Sequence, residues 1–239
     1  MIADFKKFYI EVTNKCNLNC RTCMRNSWDE PMGSMEESLF NRIISEIRQS
    51  VNPPVLFFGG IGEPLIHPGI SRMVASAKDA GCRVELITNG ILLTESRARS
   101  LLDAGLDTLW VSIDGAHPEH YLDVRLGDHL PLILENLERW KELSGPKTEL
   151  GIAMVLMKRN EGDLPEIIRL AKKLHASRFS LSHVEAYTLP LLDERLYADA
   201  VSLEFPPEGL SLPSCETGHP DPSLLESLEQ EFTLPQPRE

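Results

Sequence analysis

Residues 13–26 read TNKCNLNCRTCMRN and place Cys16, Cys20 and Cys23 within eight positions. Three is an unusual number of cysteines, because disulfides pair them and structural zinc or an ordinary iron–sulfur cluster takes four protein ligands. A zinc site would need a histidine or a fourth cysteine nearby. Cys82 directly precedes a predicted strand and so lies at the opposite end of a strand from the cysteine stretch, which follows one, and Cys215 lies near the C-terminus. The stretch therefore indicates metal or redox chemistry and leaves open how a fourth position is filled.

The composition suits one globular domain in a reducing compartment. The chain has 239 residues, of which 42% are hydrophobic and 25% charged. No apolar run approaches the roughly 20 residues that span a bilayer, and the first residues lack the pattern of a secretory signal. Clustered cysteines without a disulfide framework are typical of a cytoplasmic protein, which we expect here. The net charge of −12 argues against a nucleic acid or an anionic membrane as partner.

Strands and helices are predicted to alternate around the cysteine stretch. The predicted strands are residues 8–13, 54–60, 83–90, 107–115, 149–158 and 178–186, and the helices are 34–47, 69–81, 94–105, 130–145 and 163–176. Apolar strands alternating with amphipathic helices favour a parallel sheet with right-handed crossovers and helices outside. We therefore predict an α/β fold, a partial TIM-like (β/α)6 barrel.

Two of the helices carry specific expectations. Ser34 begins a capping-box pattern, which predicts that the first helix starts there. Leu39, Ile43 and Ile47 recur at helical spacing and are expected to face the core. Asp163 is expected to cap the last helix.

Residues 204–239 differ in composition from the preceding chain. They hold eight acidic residues, one basic residue and seven of the 17 prolines. Such a composition buries little core. We therefore predict two parts, a core barrel over residues 1–203 and an irregular, mobile acidic tail over residues 204–239.

The unusual residues follow the predicted strands. The cysteines come after the first strand, GGIGEP after the second, TNG after the third and SIDG after the fourth. In parallel α/β folds, ligand-binding residues collect at the carboxyl ends of the strands. The sequence therefore predicts one site on one rim of the sheet.

Four motifs, CNLNCRTCMR, FGGIGEPLIHP, ITNG and VSIDGAHPEHY, together resemble the radical S-adenosylmethionine superfamily. Within it the chain is most similar to the branch that modifies the cofactor of tungsten-containing aldehyde ferredoxin oxidoreductase. Relatives in that branch carry a cysteine-rich C-terminal extension, which we expect this chain to lack. One departure is Thr22, since the family commonly has an aromatic residue before the third cysteine.

The resemblance implies an enzyme with a 4Fe-4S cluster whose fourth iron binds S-adenosylmethionine. Reductive cleavage of that molecule would yield a 5′-deoxyadenosyl radical that acts on a cofactor or peptide substrate. Reduced ferredoxin or flavodoxin would supply the electron. The alternative is a shortened, non-catalytic iron–sulfur protein that serves as an electron carrier or scaffold.

The resemblance also implies roles for individual residues. Glu63 would accept a hydrogen bond from the amino group of S-adenosylmethionine, and Arg125 would pair with its carboxylate. The implied cluster ligands are Cys16, Cys20 and Cys23, and the implied cofactor-binding residues are Gly59, Gly60, Gly62, Glu63, Thr88, Asn89, Ser112, Asp114, Arg125 and His183. From the residues alone, GGIGEP could instead be a turn that ends a strand, and Arg125 a surface arginine. The remaining loop histidines are expected to be solvated: His67, His117, His120 and His129.

We expect anaerobically reconstituted protein to bind about four iron and four sulfide ions per chain and to absorb near roughly 400 nm. Replacement of Cys16, Cys20 or Cys23 by Ala removes a ligand and should abolish iron binding, measured by iron analysis and absorbance. Cys82→Ala is the matched control and should keep full iron content. Stoichiometric zinc with no iron uptake would contradict this prediction.

Overall fold

The computed structural model describes residues 5–196 and the backbone of residues 202–205. The expectations for residues 206–239, including Cys215, lie outside the described residues. Within the described part, no helix is long and apolar enough to cross a membrane.

One seven-stranded sheet forms the centre of the fold. Its spatial order follows the chain order from β1 to β7, and the first six strands are parallel. The strands are β1 (Lys7–Ile10), β2 (Val55–Phe58), β3 (Arg83–Thr88), β4 (Thr108–Ser112), β5 (Glu149–Leu156), β6 (Arg178–His183) and β7 (Ser202–Phe205). The sheet curls into a half-barrel, which confirms the predicted α/β fold.

Strand β7 was not predicted. It pairs antiparallel with β6 and runs across position 203, so the sheet continues past the boundary predicted between barrel and tail. An antiparallel neighbour needs no crossover helix, so its sequence context lacks the strand and helix alternation that identified the other strands.

Helices lie in the connections between the strands and cover one face of the sheet. They are α1 (Glu37–Ile47), α2 (Ile70–Asp79), α3 (Glu95–Asp103), α4 (Pro118–Arg125), α5 (Leu130–Ser144), α6 (Leu164–Lys173) and α7 (Leu189–Leu192). Between them and the sheet lies a continuous apolar core, whose largest fully buried members include Trp140, Tyr121, Phe40, Phe58 and Phe179. Helix α4 lies in a connection for which no helix was predicted, because its eight residues PEHYLDVR contain only one pair of buried residues at helical spacing, Tyr121 and Val124.

The expectations for α1 were wrong in its first residue and in Leu39, whereas Ile47 is buried and Ile43 packs against the core as predicted. The helix begins at Glu37 after the N-cap Glu36, because Ser34 is held by Thr13 through an isolated β-bridge and a contact of 3.1 Å between the two hydroxyl oxygens. Its buried residues are Phe40, Ile44 and Ile47, whereas Leu39 is 45% exposed. The larger Phe40 side chain occupies the core position that the periodicity assigned to Leu39.

Charged side chains fill the other face of the sheet at the amino ends of the strands. Glu85 is 4% exposed and accepts hydrogen bonds from Lys7 Nζ at 2.9 Å and Trp110 Nε1 at 3.3 Å. Glu149 Oε2 accepts from Arg83 Nη2 at 2.5 Å and from Arg178 Nε at 2.8 Å. These contacts link β1, β3, β4, β5 and β6 at the end of the sheet opposite the predicted site.

We expect Glu85→Ala to lower the free energy of unfolding by about 2–4 kcal/mol, because it leaves the Lys7 ammonium and the buried Trp110 N–H without their acceptor. Urea unfolding followed by circular dichroism measures the change. Glu95→Ala is the control, since Glu95 forms an exposed pair with Arg99, and it should cost less than about 0.5 kcal/mol. Equal stability of the two variants would contradict the buried role of Glu85.

Candidate functional site

A cavity of about 400 Å³ opens at the carboxyl ends of the strands. Its walls come from the cysteine segment, from the loops after β2 and β3, and from the ends of β4, α4 and β5. Eleven of the predicted site residues line it, namely Cys16, Cys20, Cys23, Gly60, Gly62, Glu63, Thr88, Asn89, Ser112, Asp114 and Arg125. The structure therefore brings together residues that are more than 100 positions apart in the sequence.

The three cysteines lie along one wall of this cavity. Cys20 is buried, and Cys16 and Cys23 are partly buried. Burial raises the pKa of the Cys16 and Cys20 thiols above its ordinary value. Cys82 is buried elsewhere, next to the first residue of β3 at the amino end of that strand. Among residues 5–196, no three His, Cys, Asp or Glu side chains converge as ligands of a single metal ion, whereas a cubane cluster takes one thiolate on each of its irons.

Hydrogen-bond donors surround two of the sulfur atoms. Leu18 N lies 3.5 Å and Asn89 Nδ2 3.9 Å from Cys16 Sγ. Arg125 Nη1 lies 3.7 Å from Cys20 Sγ. Donors at this range stabilise thiolates and tune the potential of a cluster that the thiolates hold. The donor set therefore fits an iron–sulfur cluster.

Asp114 and Arg125 form a buried ion pair beside Cys20. Arg125 Nη2 lies 2.6 Å from Asp114 Oδ2, and the two side chains are 11% and 0% exposed. Asp114 Oδ1 accepts a hydrogen bond from Val155 N at 2.8 Å, which ties β4 to β5. Burial by itself would lower the pKa of Arg125, but Asp114, Cys20 and Tyr121 raise it above its ordinary value. The guanidinium therefore stays charged at this wall.

The Nε donor of Arg125 is left for a ligand. Its Nε is buried and has no hydrogen-bond acceptor within the described part of the chain. A buried donor without an acceptor costs free energy, and an anionic ligand group in the cavity would remove that cost. The residue thus fits the carboxylate of S-adenosylmethionine, as the resemblance implied, and the expectation of a surface arginine was wrong.

Glu63 is buried at 2% exposure and is already engaged by the protein. Its Oε1 accepts hydrogen bonds from Leu65 N at 3.0 Å and Thr88 Oγ1 at 2.8 Å, and its Oε2 accepts from Asn89 N at 2.8 Å. Burial raises the pKa of the Glu63 carboxyl although these donors oppose the shift. A carboxylate has about four acceptor sites, so one remains for an amino group of a ligand.

The glycines of GGIGEP serve different needs. Gly62 must lack a side chain, because a Cβ atom would lie 1.9 Å from Thr13 O. Gly60 has φ +150° and lines the cavity. Gly59 does not line the cavity, and a Cβ atom there would lie 2.5 Å from the side chains of Phe57 and Ile87. Packing alone therefore accounts for Gly59.

His183 also lies outside the cavity wall. It has the strand parity of Phe179 and Leu181, which belong to the core between sheet and helices. Strand alternation thus directs it to the helix-covered face of the sheet and not into the barrel. The placement gives no support to a cofactor-binding role.

Asp163 and His120 have functions that the sequence did not indicate. Asp163 is at the N-cap position of α6, as predicted, but its side chain makes no capping bond. It accepts a hydrogen bond from Ala116 N at 2.8 Å and contacts His120 Nδ1 at 2.6 Å. These two contacts hold the loop after SIDG in place.

His67 was expected to be solvated but is 5% exposed, and its Nδ1 accepts a hydrogen bond from Gly69 N.

Several residues of the site were missed by sequence reasoning. Asn17 Oδ1 accepts from Asn89 Nδ2 at 2.9 Å and so joins the cysteine segment to the loop after β3. Apolar and polar side chains that line the cavity without having been predicted are Leu18, Thr22, Met24, Ile61, Ile87, Val155 and Tyr187. Asn17 lies between two predicted ligands, so its position was a usable signal. The apolar residues carry none, because they resemble core residues of any strand or loop.

Comparisons with known proteins agree with this geometry. The model of the radical SAM superfamily matches residues 10–171. The chain is 30% identical over 203 residues to the tungsten-containing aldehyde ferredoxin oxidoreductase cofactor-modifying protein of Pyrococcus furiosus, covering 83% of this chain and 57% of that protein. It is 34% identical over 168 residues to the AdoMet-dependent heme synthase of Methanosarcina barkeri, covering 70% and 47%. The chain thus spans about half the length of these curated relatives.

Solved structures share the fold. Streptococcus suis SuiB bound to its precursor peptide SuiA matches with a TM-score of 0.65 at 16% identity, covering 81% of this chain and 42% of SuiB. At this identity the similarity shows a common architecture.

We expect Glu63→Ala to lower the free energy of unfolding by about 2–4 kcal/mol, because it leaves three buried donors without an acceptor. Glu63→Gln keeps an acceptor for Leu65 N and Thr88 Oγ1 but turns an amide toward Asn89 N, so its stability should be intermediate. Chemical denaturation of the two variants measures this order. The control is Glu135→Ala on the exposed face of α5, and a Glu63→Ala protein as stable as that control would contradict the assignment.

Proposed function

Because the chain belongs to the radical S-adenosylmethionine superfamily of enzymes, we propose that it cleaves S-adenosylmethionine reductively at a 4Fe-4S cluster to modify a cofactor or peptide substrate. The observation that carries this proposal is the cavity in which the three cysteines, the Gly60–Glu63 loop and the Asp114–Arg125 pair meet. The three groups come from different connections of the fold. The cysteines suit the cluster, and the other two groups suit S-adenosylmethionine.

Cys16, Cys20 and Cys23 would hold the cluster. When bound, the cluster and S-adenosylmethionine supply one-electron cleavage of a carbon–sulfur bond and a radical that removes a hydrogen atom from substrate. Arg125 beside Cys20 offsets the negative charge of the thiolates. Asn89 and Leu18 donate toward Cys16 and keep that sulfur oriented.

Two charged residues would orient S-adenosylmethionine. Arg125 Nε offers a buried donor to its carboxylate, and Glu63 offers its remaining acceptor site to its amino group. Both side chains are already fixed by protein contacts, so little conformational entropy is lost on binding. Leu18, Ile87 and Val155 line the same cavity and would exclude water from the reacting groups.

The substrate class rests on relatives. The Pyrococcus furiosus relative is named for modifying a cofactor, and SuiB was solved with a precursor peptide. For this chain we propose a cofactor or peptide as substrate, with reduced ferredoxin or flavodoxin as electron donor. Low-potential clusters and free thiols suit a reducing compartment, so we propose a cytoplasmic setting.

Anaerobic incubation of the reconstituted protein with S-adenosylmethionine and dithionite tests the proposal. We expect slow release of 5′-deoxyadenosine and methionine, measured by liquid chromatography and mass spectrometry. Cys20→Ala should release neither product because it lacks a cluster ligand, and Cys82→Ala should match the wild type. A protein that holds a full cluster yet releases no 5′-deoxyadenosine under strong reduction would be the electron carrier or scaffold of the alternative reading.

A further inference from the structure

The loop from Gly60 to Gly62 is held by a carboxylate outside the cavity. Glu11 lies one residue beyond β1, and its Oε1 accepts hydrogen bonds from Ile61 N at 2.5 Å and Gly62 N at 3.4 Å. We propose that Glu11 is a positioning residue that sets the shape of this loop for S-adenosylmethionine. The inference rests on the proposed function, and Glu11 lies outside the four motifs named in the sequence analysis.

The Glu11 carboxylate is fixed by its contacts with the loop. Two successive backbone N–H groups that converge on one oxygen form a small anion-binding concavity, and a charged acceptor makes the stronger kind of hydrogen bond. A Cβ atom at position 60 would lie 2.5 Å from Glu11 Oε1. Gly60 therefore leaves room for Glu11 and also adopts φ +150°, which favours glycine.

Backbone atoms of Thr13 and Lys15 hold the end of the loop that leads into Glu63. Gly62 packs against Thr13 O, and Glu63 N donates to Lys15 O at 2.8 Å. The loop is thus held at Ile61 and Gly62 by the Glu11 side chain, and at Gly62 and Glu63 by the backbone of Thr13 and Lys15. Without Glu11, the N–H groups of Ile61 and Gly62 lose their acceptor while the Thr13 and Lys15 contacts remain.

Glu11 acts on the cofactor through the loop. Gly60, Ile61 and Gly62 line the cavity, whereas Glu11 does not. The cysteine segment has other supports, since Arg21 N donates to Val124 O at 2.9 Å and Arg125 contacts Cys20. A change at Glu11 should therefore alter the binding of S-adenosylmethionine and leave the cluster in place.

The test uses reconstituted wild-type, Glu11→Ala and Glu11→Gln proteins. We expect Glu11→Ala to raise the Kd for S-adenosylmethionine about tenfold, measured by equilibrium dialysis. In the cleavage of S-adenosylmethionine, the KM for that molecule should rise in parallel, and kcat should stay within about twofold of the wild type. Glu11→Gln keeps an oxygen acceptor and should restore the Kd to within about twofold. Glu46→Ala, an exposed change on α1, is the matched control and should have no effect.

A second readout does not depend on the cofactor. Amide hydrogen exchange of Ile61 and Gly62 should be faster in Glu11→Ala than in the wild type and Glu11→Gln, with unchanged iron content. Wild-type Kd or unchanged exchange in Glu11→Ala would overturn the inference, as would loss of the cluster. If the wild-type holoprotein itself binds no S-adenosylmethionine, the proposed function fails and the inference fails with it; failure of Glu11→Ala alone leaves the proposed function standing.

Discussion

The buried ion pair between Asp114 and Arg125 is the contact on which the arrangement of the site depends. Asp114 lies two residues beyond β4 and accepts a hydrogen bond from Val155 N on β5, while Arg125 ends α4 and contacts Cys20. One pair thus connects two strands, a helix and the cysteine segment. Desolvating both charges is costly, and a single charge left without its partner costs several kcal/mol more. The two residues are therefore stable in this position as a pair, which fixes α4 against the cysteines.

Glu63 is a second buried carboxylate in the cavity wall, and it also connects separate elements of the fold. It lies after β2, and its donors Thr88 and Asn89 belong to the end of β3 and the loop that follows. Asn89 in turn reaches Asn17 and Cys16. Two buried carboxylates, one after β2 and one after β4, thus hold the loops together before any ligand binds. Such preorganisation is what a site needs when bound groups must be oriented without further loss of entropy.

Membership of the superfamily accounts for the core of the fold and the three cysteines, but it does not identify the substrate of this chain. The matched residues 10–171 run from the last residue of β1 through most of α6 and contain all three cysteines. The relatives are longer than this chain. The substrates for which they are named are therefore only proposals for this protein. Thr22 and residues 60–63 of GGIGEP line the same cavity.

The sequence by itself determined the alternation of strands and helices, the parallel sheet and the rim on which the site lies. These depend on hydrophobic periodicity and on motif order, which are local and can be read along the chain. Tertiary structure decided which polar atoms meet: Glu11 with the N–H groups of Ile61 and Gly62, and Asp163 with His120. It also decided that His183 faces the helix-covered side and that α4 and β7 exist. Such pairings join residues distant in sequence, so their energies depend on packing that no local pattern encodes.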